Sequence, residues 1–404
     1  MVKKTLAAVC VAAVCVVAAC ILIDALKTRH DRNSGQKLHS YYIGAVLDWP
    51  VFRGGHNLSG VSKISLPETM RLLWKFQTGA AVKSSPVIDK SRVFIGSNDN
   101  RIYALDLGTG EKIWTYETNG PVEAPACVVD DTVLVGSSDA FLYALDAASG
   151  ELKWKYETGG KIIGAANWLK ISGGGLYIFV GSYDGKAYCI DSASGKSVWT
   201  YQSDSYINGS PAVSDNTVIF GGCDAKIHII SALDGAVIMQ IETGSYIAAS
   251  PAVVDGKIYI GNFDNQFLCA ELRSGRIVWK YTDSDSPFFS SPAVNSRIVV
   301  VGSRDNRIHC LDAVTGKRIW TFQTLDEVDS SAVICNNCVV ACSADGRVYM
   351  LNLENGKVIW SYQIGGAIFS SPAVATLQDK AGLLIPVLVV GSDDGWLYAF
   401  GPRL

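Results

Sequence analysis

The sequence predicts an all-β, eight-bladed propeller of four-stranded antiparallel blades, and three observations predict it. First, Trp recurs at Trp74, Trp114, Trp154, Trp199, Trp279, Trp320 and Trp360, with Met239 filling the gap, in steps of 40, 40, 45, 40, 40, 41 and 40 residues. A period near 40 residues marks a repeat architecture, in which each unit buries its apolar face only against its neighbours. Second, every unit carries the same turn chemistry between short apolar runs. Third, the two ends of the repeat are complementary fragments of one unit.

Ahead of the turns lies a strand opening with Ser-Pro, as in SSPVID (84–89), SPAVSD (210–215), SPAVVD (250–255) and SSPAV (370–374). A second strand follows and ends in a turn with Asp at one register: Asp99, Asp139, Asp184, Asp224, Asp264, Asp305, Asp345 and Asp394. Each of these Asp residues stands alone, without a D-x-D-x-D loop, so the repeated placement reads as turn structure rather than a calcium site. The third strand leads into phrases such as ALDLGTGEKIW (104–114), ALDAASGELKW (144–154) and CIDSASGKSVW (189–199). Here Asp bonds the local backbone and Gly supplies a positive φ, which is hairpin chemistry. The fourth strand carries the Trp, expected to pack flat between blades with Met239 as a flexible substitute. Beyond the N-terminus no ten-residue stretch shows a helical period. The last unit stops at Phe400 after its third strand, while RLLWKF (71–76) precedes any complete unit. Pairing the two closes the ring and removes its open edges.

The chain divides into a signal or anchor segment (1–23), a polar tether (24–48) and the propeller (49–404). Thr5 to Ile23 is an uncharged apolar run behind Lys3 and Lys4. It suits a membrane anchor or a secretory signal. Val17-Ala18-Ala19-Cys20 resembles a bacterial lipobox, which makes Cys20 the lipidation candidate. Each reading exports the propeller to the periplasmic or extracellular side and tethers it to a membrane. Of the eleven cysteines, Cys189, Cys269 and Cys310 take a register held by Ala104 and Ala144 and read as small buried residues. Cys335 and Cys338 flank Asn336-Asn337, a two-residue turn. They read as a structural disulfide or two free thiols, since no helix N-terminus is there to lower a thiol pKa.

Catalytic signals are sparse. The five His residues show neither H-x-H nor HExxH spacing, and there is no GxSxG or GxxxxGK[ST]. His228 and His309 stand where Tyr103 and Tyr143 stand in other blades, a structural register. A net charge of −3, a pI near 6.0 and the lack of a basic run argue against a nucleic-acid partner. The axial funnel should be lined two residues before the Pro register, at Ser84, Gly209, Ala249, Ser290 and Ser370. Glu123 and Asp329 are assigned to equivalent places and are the funnel candidates, as a carboxylate pair or as ligands of a hard cation. Tyr206, Tyr246, Phe288, Phe289 and Phe369 lie before the Ser-Pro strands and are the interface candidates, because aromatic residues concentrate in binding hot spots.

The phrase A-x-D-x-x-[TS]-G-x-x-x-W resembles the tryptophan-docking motif of the pyrroloquinoline-quinone (PQQ) repeat family. Ala104, Asp106, Thr109, Gly110 and Trp114 match it fully, as do Ala144, Asp146, Ser149, Gly150 and Trp154, while 231–239 departs most. The resemblance covers roughly residues 49–404, and WPVFRGGHNLSGVS (49–62) is similar to the lead of exported propellers of this type. It implies one of two kinds of protein. Quinoprotein dehydrogenases oxidise alcohols or sugars with PQQ and Ca²⁺ in the funnel, and the large ones carry a vicinal Cys-Cys pair that this chain lacks. Non-enzymatic relatives include the propeller lipoprotein of outer-membrane assembly, a protein-binding platform. The regular blades favour a non-catalytic, monomeric scaffold without a cofactor, binding an envelope protein or other ligand. A PQQ-dependent dehydrogenase and an extracellular small-ligand sensor are the alternatives.

Overall fold

A computed structural model describes residues 42–402 apart from 380. The segment 1–23, with Cys20, lies outside the described residues. Seven sheets are four-stranded antiparallel blades, each in chain order from the axis outward. Blade 1, for example, runs Val87–Asp89, Arg92–Ser97, Arg101–Asp106 and Lys112–Glu117. The ring closes as expected: Arg71–Gln77 supplies the outer strand of blade 8 and pairs with Trp396–Gly401, Trp74 opposite Ala399. One strand goes beyond the expectation. Tyr42–Leu47, in the stretch assigned to the tether, pairs with Ala373–Asp379 and gives blade 8 a fifth strand. Among the described residues the one helical element is a 3₁₀ turn at Phe52–Gly54, and none is long and apolar enough to cross a membrane.

The Trp residues are latches between blades. Each indole Nε1 donates to a carbonyl of the following blade: Trp74 to Leu107, Trp114 to Ala147, Trp199 to Ala232 and Trp320 to Leu353, at 2.8–3.1 Å. The ring lies against the turn glycine of that blade. A Cβ on Gly150, whose φ is +75°, would sit 2.7 Å from the Trp114 ring. Only Gly fits both the conformation and the space. Met239 fills the same place against Gly275 with its sulfur, but has no donor. Beneath each ring, Asp106 Oδ1 accepts from the Gly108 and Thr109 amides and the Thr109 hydroxyl, fixing the turn.

The repeated turn Asp is structural, as expected. Asp139 Oδ1 accepts from the Phe141 amide, while Oδ2 accepts from Tyr143 Oη at 2.7 Å and from the Asn119 amide of the preceding loop. His228 and His309 replace the Tyr and contact Asp224 and Asp305 through Nε2. Their Nδ1 atoms meet Tyr201 and Tyr281 of the preceding blades at 2.9 Å. Burial holds the His228 pKa below its ordinary value against the opposing pull of Asp224. Cys189, Cys269 and Cys310 are buried free thiols. Cys335 and Cys338 are also free and buried, and the Cys335 amide donates to the Cys338 carbonyl at 2.8 Å.

Residues 48–66 form a strap around the inside of the ring. The inner strands of blades 1, 2, 4, 5, 6 and 7 bond its backbone in turn, through Ile88 with Trp49, Val128 with Pro50, Val213 with His56, Val253 with Asn57, Val294 with Ser59 and Ile334 with Gly60. The inward amides of inner strands are thereby satisfied by chain rather than solvent. Arg53, only 1% exposed, pins the strap: its guanidinium donates to the carbonyls of Pro292 and Ser331. With no carboxylate at hand, burial lowers its pKa to about 9. Nearer the other face, a belt of serines links blade to blade. The amides of Ser210, Ser250, Ser291 and Ser331 donate to Ser250, Ser291, Ser331 and Ser371 Oγ, and Ser371 donates to Ser85. Pro125, at the equivalent place in blade 2, neither donates nor accepts by side chain.

Candidate recognition face

The strap closes the end of the ring where the first-to-second-strand and third-to-fourth-strand turns lie, so the funnel opens toward the opposite face. That face is built from the loops leading into each inner strand and from the second-to-third-strand turns. Backbone bonds join the two sets at every blade, for example Ser138 N to Pro121 O, Tyr183 N to Lys161 O and Phe263 N to Tyr246 O.

The structure corrects the funnel register. Ser84 Oγ bonds the Ala124 carbonyl and Ser330 Oγ bonds the Ser370 carbonyl, which makes Ala124 and Ser330 the equivalents of Ser84. Glu123 and Asp329 therefore stand one residue earlier, three before the Pro register. The error arose because blades 2 and 7, like blade 3 with Ala166, have Ala126 and Ala332 where the other five blades have Pro. The true inner ring is Ser84, Ala124, Gly164, Gly209, Ala249, Ser290, Ser330 and Ser370, all small and buried. Glu123 and Asp329 belong to the ring above it, with Lys83, Ile163, Asn208, Ala248, Phe289 and Phe369.

That mouth ring places its two acids in separate settings. Asp329 is clamped by Arg304, with Nε–Oδ1 3.0 Å and Nη2–Oδ2 2.7 Å, and Glu327 adds a contact at 3.3 Å. The pair with Asp329 holds the guanidinium pKa above its usual value. Arg304 also lies 3.5 Å over the centroid of the Phe289 ring. Glu123 instead acts through its charge on Asp393 and Tyr183, raising the pKa of each. Burial raises the Asp393 carboxyl above the ordinary carboxylate range, Lys83 opposes the shift and Glu123 adds to it. Among the described residues no group of three or more His, Cys, Asp or Glu gathers as metal ligands. A quinone bearing three carboxylates beside a hard cation needs clustered cations and oxygen ligands. The ring supplies Lys83, and Arg304 beside it is already engaged by Asp329 and Glu327.

Four of the five interface candidates reach this face. Tyr206 is 54% exposed and Tyr246 58%, while Phe289 and Phe369 are half-buried on the mouth ring. Phe288 is the exception and is withdrawn from the interface: it is fully buried. It occupies the register of Val122, Ile162 and Val328, whose side chains pack on the second-strand glycines; its Cβ lies 2.3 Å from where a Cβ on Gly261 would be. The next residue, Phe289, is half-buried on the mouth ring under Arg304, while Phe288 enters the core.

Sequence reasoning missed the residue before each turn Asp, which supplies Tyr183, Phe263, Arg304 and Asp393. Tyr183 stacks on Tyr206 at 5.2 Å, and the two line a shallow pocket of about 290 Å³ with Asp184, Gln202 and Asp204. Phe263 contacts Tyr246 at 6.3 Å and Phe289 at 4.5 Å. The signal was available: this position differs in every blade beside an Asp that never changes.

A family profile described as "Outer membrane protein assembly factor BamB" matches residues 60–166, 170–242 and 224–391. The chain belongs to this family. Among solved structures, BamB from Moraxella catarrhalis is similar with a TM-score of 0.68 and 20% identity, covering 83% of this chain and 100% of that one. Quinohemoprotein alcohol dehydrogenase from Comamonas testosteroni aligns with a TM-score of 0.74 and 14% identity, over 89% of this chain and 81% of that one. A europium-containing methanol dehydrogenase gives 0.72 and 13%, over 88% and 98%. These likenesses establish the fold, shared by an assembly factor and by dehydrogenases. A curated relative, the beta-alanine-activating enzyme of Danio rerio, is 46% identical over 52 residues, 12% of this chain and 4% of that protein's length.

Proposed function

We propose that the protein is a non-catalytic scaffold that presents its loop face to a protein partner in cell-envelope assembly, tethered to a membrane through residues 1–23. The observation that carries this reading is the make-up of the funnel mouth. One candidate acid, Asp329, is neutralised by Arg304, which lies on the Phe289 ring, and Tyr206 and Tyr246 are exposed on the same face. Membership of a family described by an outer-membrane assembly factor supports the same reading. So does the pairing of Tyr42 with Asp379, which puts the first described residue at the strap end of Ala373–Asp379 rather than at the loop face. A quinone-dependent dehydrogenase is the competing reading. Titrating the purified protein with PQQ, with and without Ca²⁺, followed by dye-linked alcohol oxidation, separates the two. The scaffold reading expects neither saturable binding nor turnover, and turnover that saturates with PQQ would overturn it.

A further inference from the structure

The first hairpin of blade 7 carries two thiols that the scaffold reading does not use. Its strands, Val333–Ile334 and Cys338–Cys342, are joined through Cys335 and the turn Asn336-Asn337. The Cys335 amide donates to the Cys338 carbonyl at 2.8 Å, so the two residues stand directly opposite each other. Opposed residues of this kind have Cα atoms about 5.5 Å apart, inside the range that a disulfide spans. Both side chains enter one apolar cluster, 1% and 0% exposed, and the Cys335 thiol hydrogen-bonds that of Cys338. Of the other described cysteines that lie in strands, none faces a thiol: Cys127 lies opposite Leu134, Cys310 opposite Val300 and Trp320, and Cys342 opposite Val348.

The same hairpin holds the end of the strap. The Ile334 amide donates to the Gly60 carbonyl, and the Ser62 amide donates to the Ile334 carbonyl. At the turn, the Asn336 amide donates to the Ile64 carbonyl and its Nδ2 to the Lys63 carbonyl. Asn337 takes the Leu66 amide on Oδ1 and donates from Nδ2 to the Leu66 carbonyl. Residues 60–66 then lead into Arg71–Gln77, the strand that closes the ring.

We propose that Cys335 and Cys338 form a disulfide that staples this hairpin, and with it the leg of the strap ahead of the ring-closing strand. The oxidant is another disulfide, borne by a small molecule or a thiol oxidoreductase. One cysteine thiolate attacks it and expels one oxidant thiol; the second cysteine attacks the mixed disulfide and expels the other. One S–S bond forms and one breaks, the two cysteines are oxidised and the oxidant is reduced to two thiols. The folded chain shields both groups from this exchange. They are buried, and the bond to Cys338 together with burial holds the Cys335 thiol well above its ordinary pKa, which withholds the reactive thiolate. The bridge therefore forms while the hairpin is still uncovered, during folding. The export reading supplies the oxidising compartment.

The test is cell-free synthesis of the full chain in mild detergent, with glutathione disulfide or with dithiothreitol. Each product is alkylated in denaturant before and after reduction and mapped by mass spectrometry. With glutathione disulfide, Cys335 and Cys338 are expected to resist alkylation until reduced, while Cys342 on the same peptide is labelled at once. A loop this short removes little chain entropy, so the oxidised product should melt only about 2 °C above the reduced one. The double variant Cys335→Ala, Cys338→Ala should melt alike under both conditions. Chain folded first in dithiothreitol, then given glutathione disulfide, should stay reduced. Labelling of both cysteines before reduction, or a bridge from either to a third cysteine, overturns the proposal. Ready oxidation of the folded chain overturns the burial argument for when the bridge forms. Chain recovered from cells separates the staple from the export reading: free thiols there, with the bridge present in the cell-free product, keep the staple and overturn export.

Discussion

Trp114→Ala removes one blade latch, and its cost follows from the structure. The side chain is 8% exposed, packs against Gly150, and donates from Nε1 to the Ala147 carbonyl at 3.1 Å. A large aromatic side chain buries roughly 200 Å². At about 25 cal/mol per Å² that is worth roughly 5 kcal/mol, in line with the 3–5 kcal/mol typical of Trp→Ala in cores. Unfolding entropy scales with chain length, so for 404 residues a loss of about 4 kcal/mol lowers the melting temperature by roughly 5 °C. Trp114→Phe keeps most of the packing and loses the hydrogen bond, a cost nearer about 1 kcal/mol plus the smaller ring volume. Met239→Trp runs the experiment in reverse, since Met239 occupies the latch site against Gly275 without a donor. It should raise the melting temperature by a degree or more. Differential scanning calorimetry measures all three. A Trp114→Ala variant melting within about 1 °C of the parent would refute the latch, because a residue buried between two blades cannot be removed at that cost.

Gly150→Ala should destabilise by about as much as a core overpacking change, roughly 1–3 kcal/mol, because its Cβ strikes the Trp114 ring at positive φ; urea midpoints report it. Acid should weaken the fold through His228. Its folded pKa lies below the unfolded value, so its neutral form contributes stability that is fully present above about pH 6.5 and declines as pH falls below it. His228→Tyr, the residue type at this register in five blades, should flatten the melting temperature between pH 7 and 5. The thiols of Cys127, Cys310 and Cys342 are pushed up by burial. Peptide mapping after iodoacetamide at pH 8 should find them unlabelled in native protein and labelled in denaturant. Phe289→Ala should release Arg304 from its ring while leaving the Asp329 clamp, so the fold melts normally and loss of a cross-linked partner is the readout.

The repeat made the scaffold readable. A blade needs its apolar alternation, its turn Asp, its turn Gly and its Trp in one order, and each meets a local constraint, so a 40-residue period exposes them eight times over. Closure was equally legible, because a unit missing its outer strand and a lone outer strand fit one gap. His228 and His309 could be read as structural because neighbouring blades supplied the comparison. The recognition face resisted the same logic, since function there lies in positions that differ between blades. Glu123 and Asp329 were placed one residue off because Ala126 and Ala332 replace the Pro that marked the register. Phe288 and Phe289 are indistinguishable by composition, and only the packing of the loop sends one into the core and the other to the mouth. The pairing of Arg304 with Asp329 and Phe289, and the circuit of residues 48–66 around the axis, join groups from different blades. Sequence alone determined the blade and the ring, because those depend on contacts within one repeat or with its neighbour. Tertiary structure decided which loop residues share a face and which charges neutralise one another, because ring closure sets those distances and no local pattern encodes them.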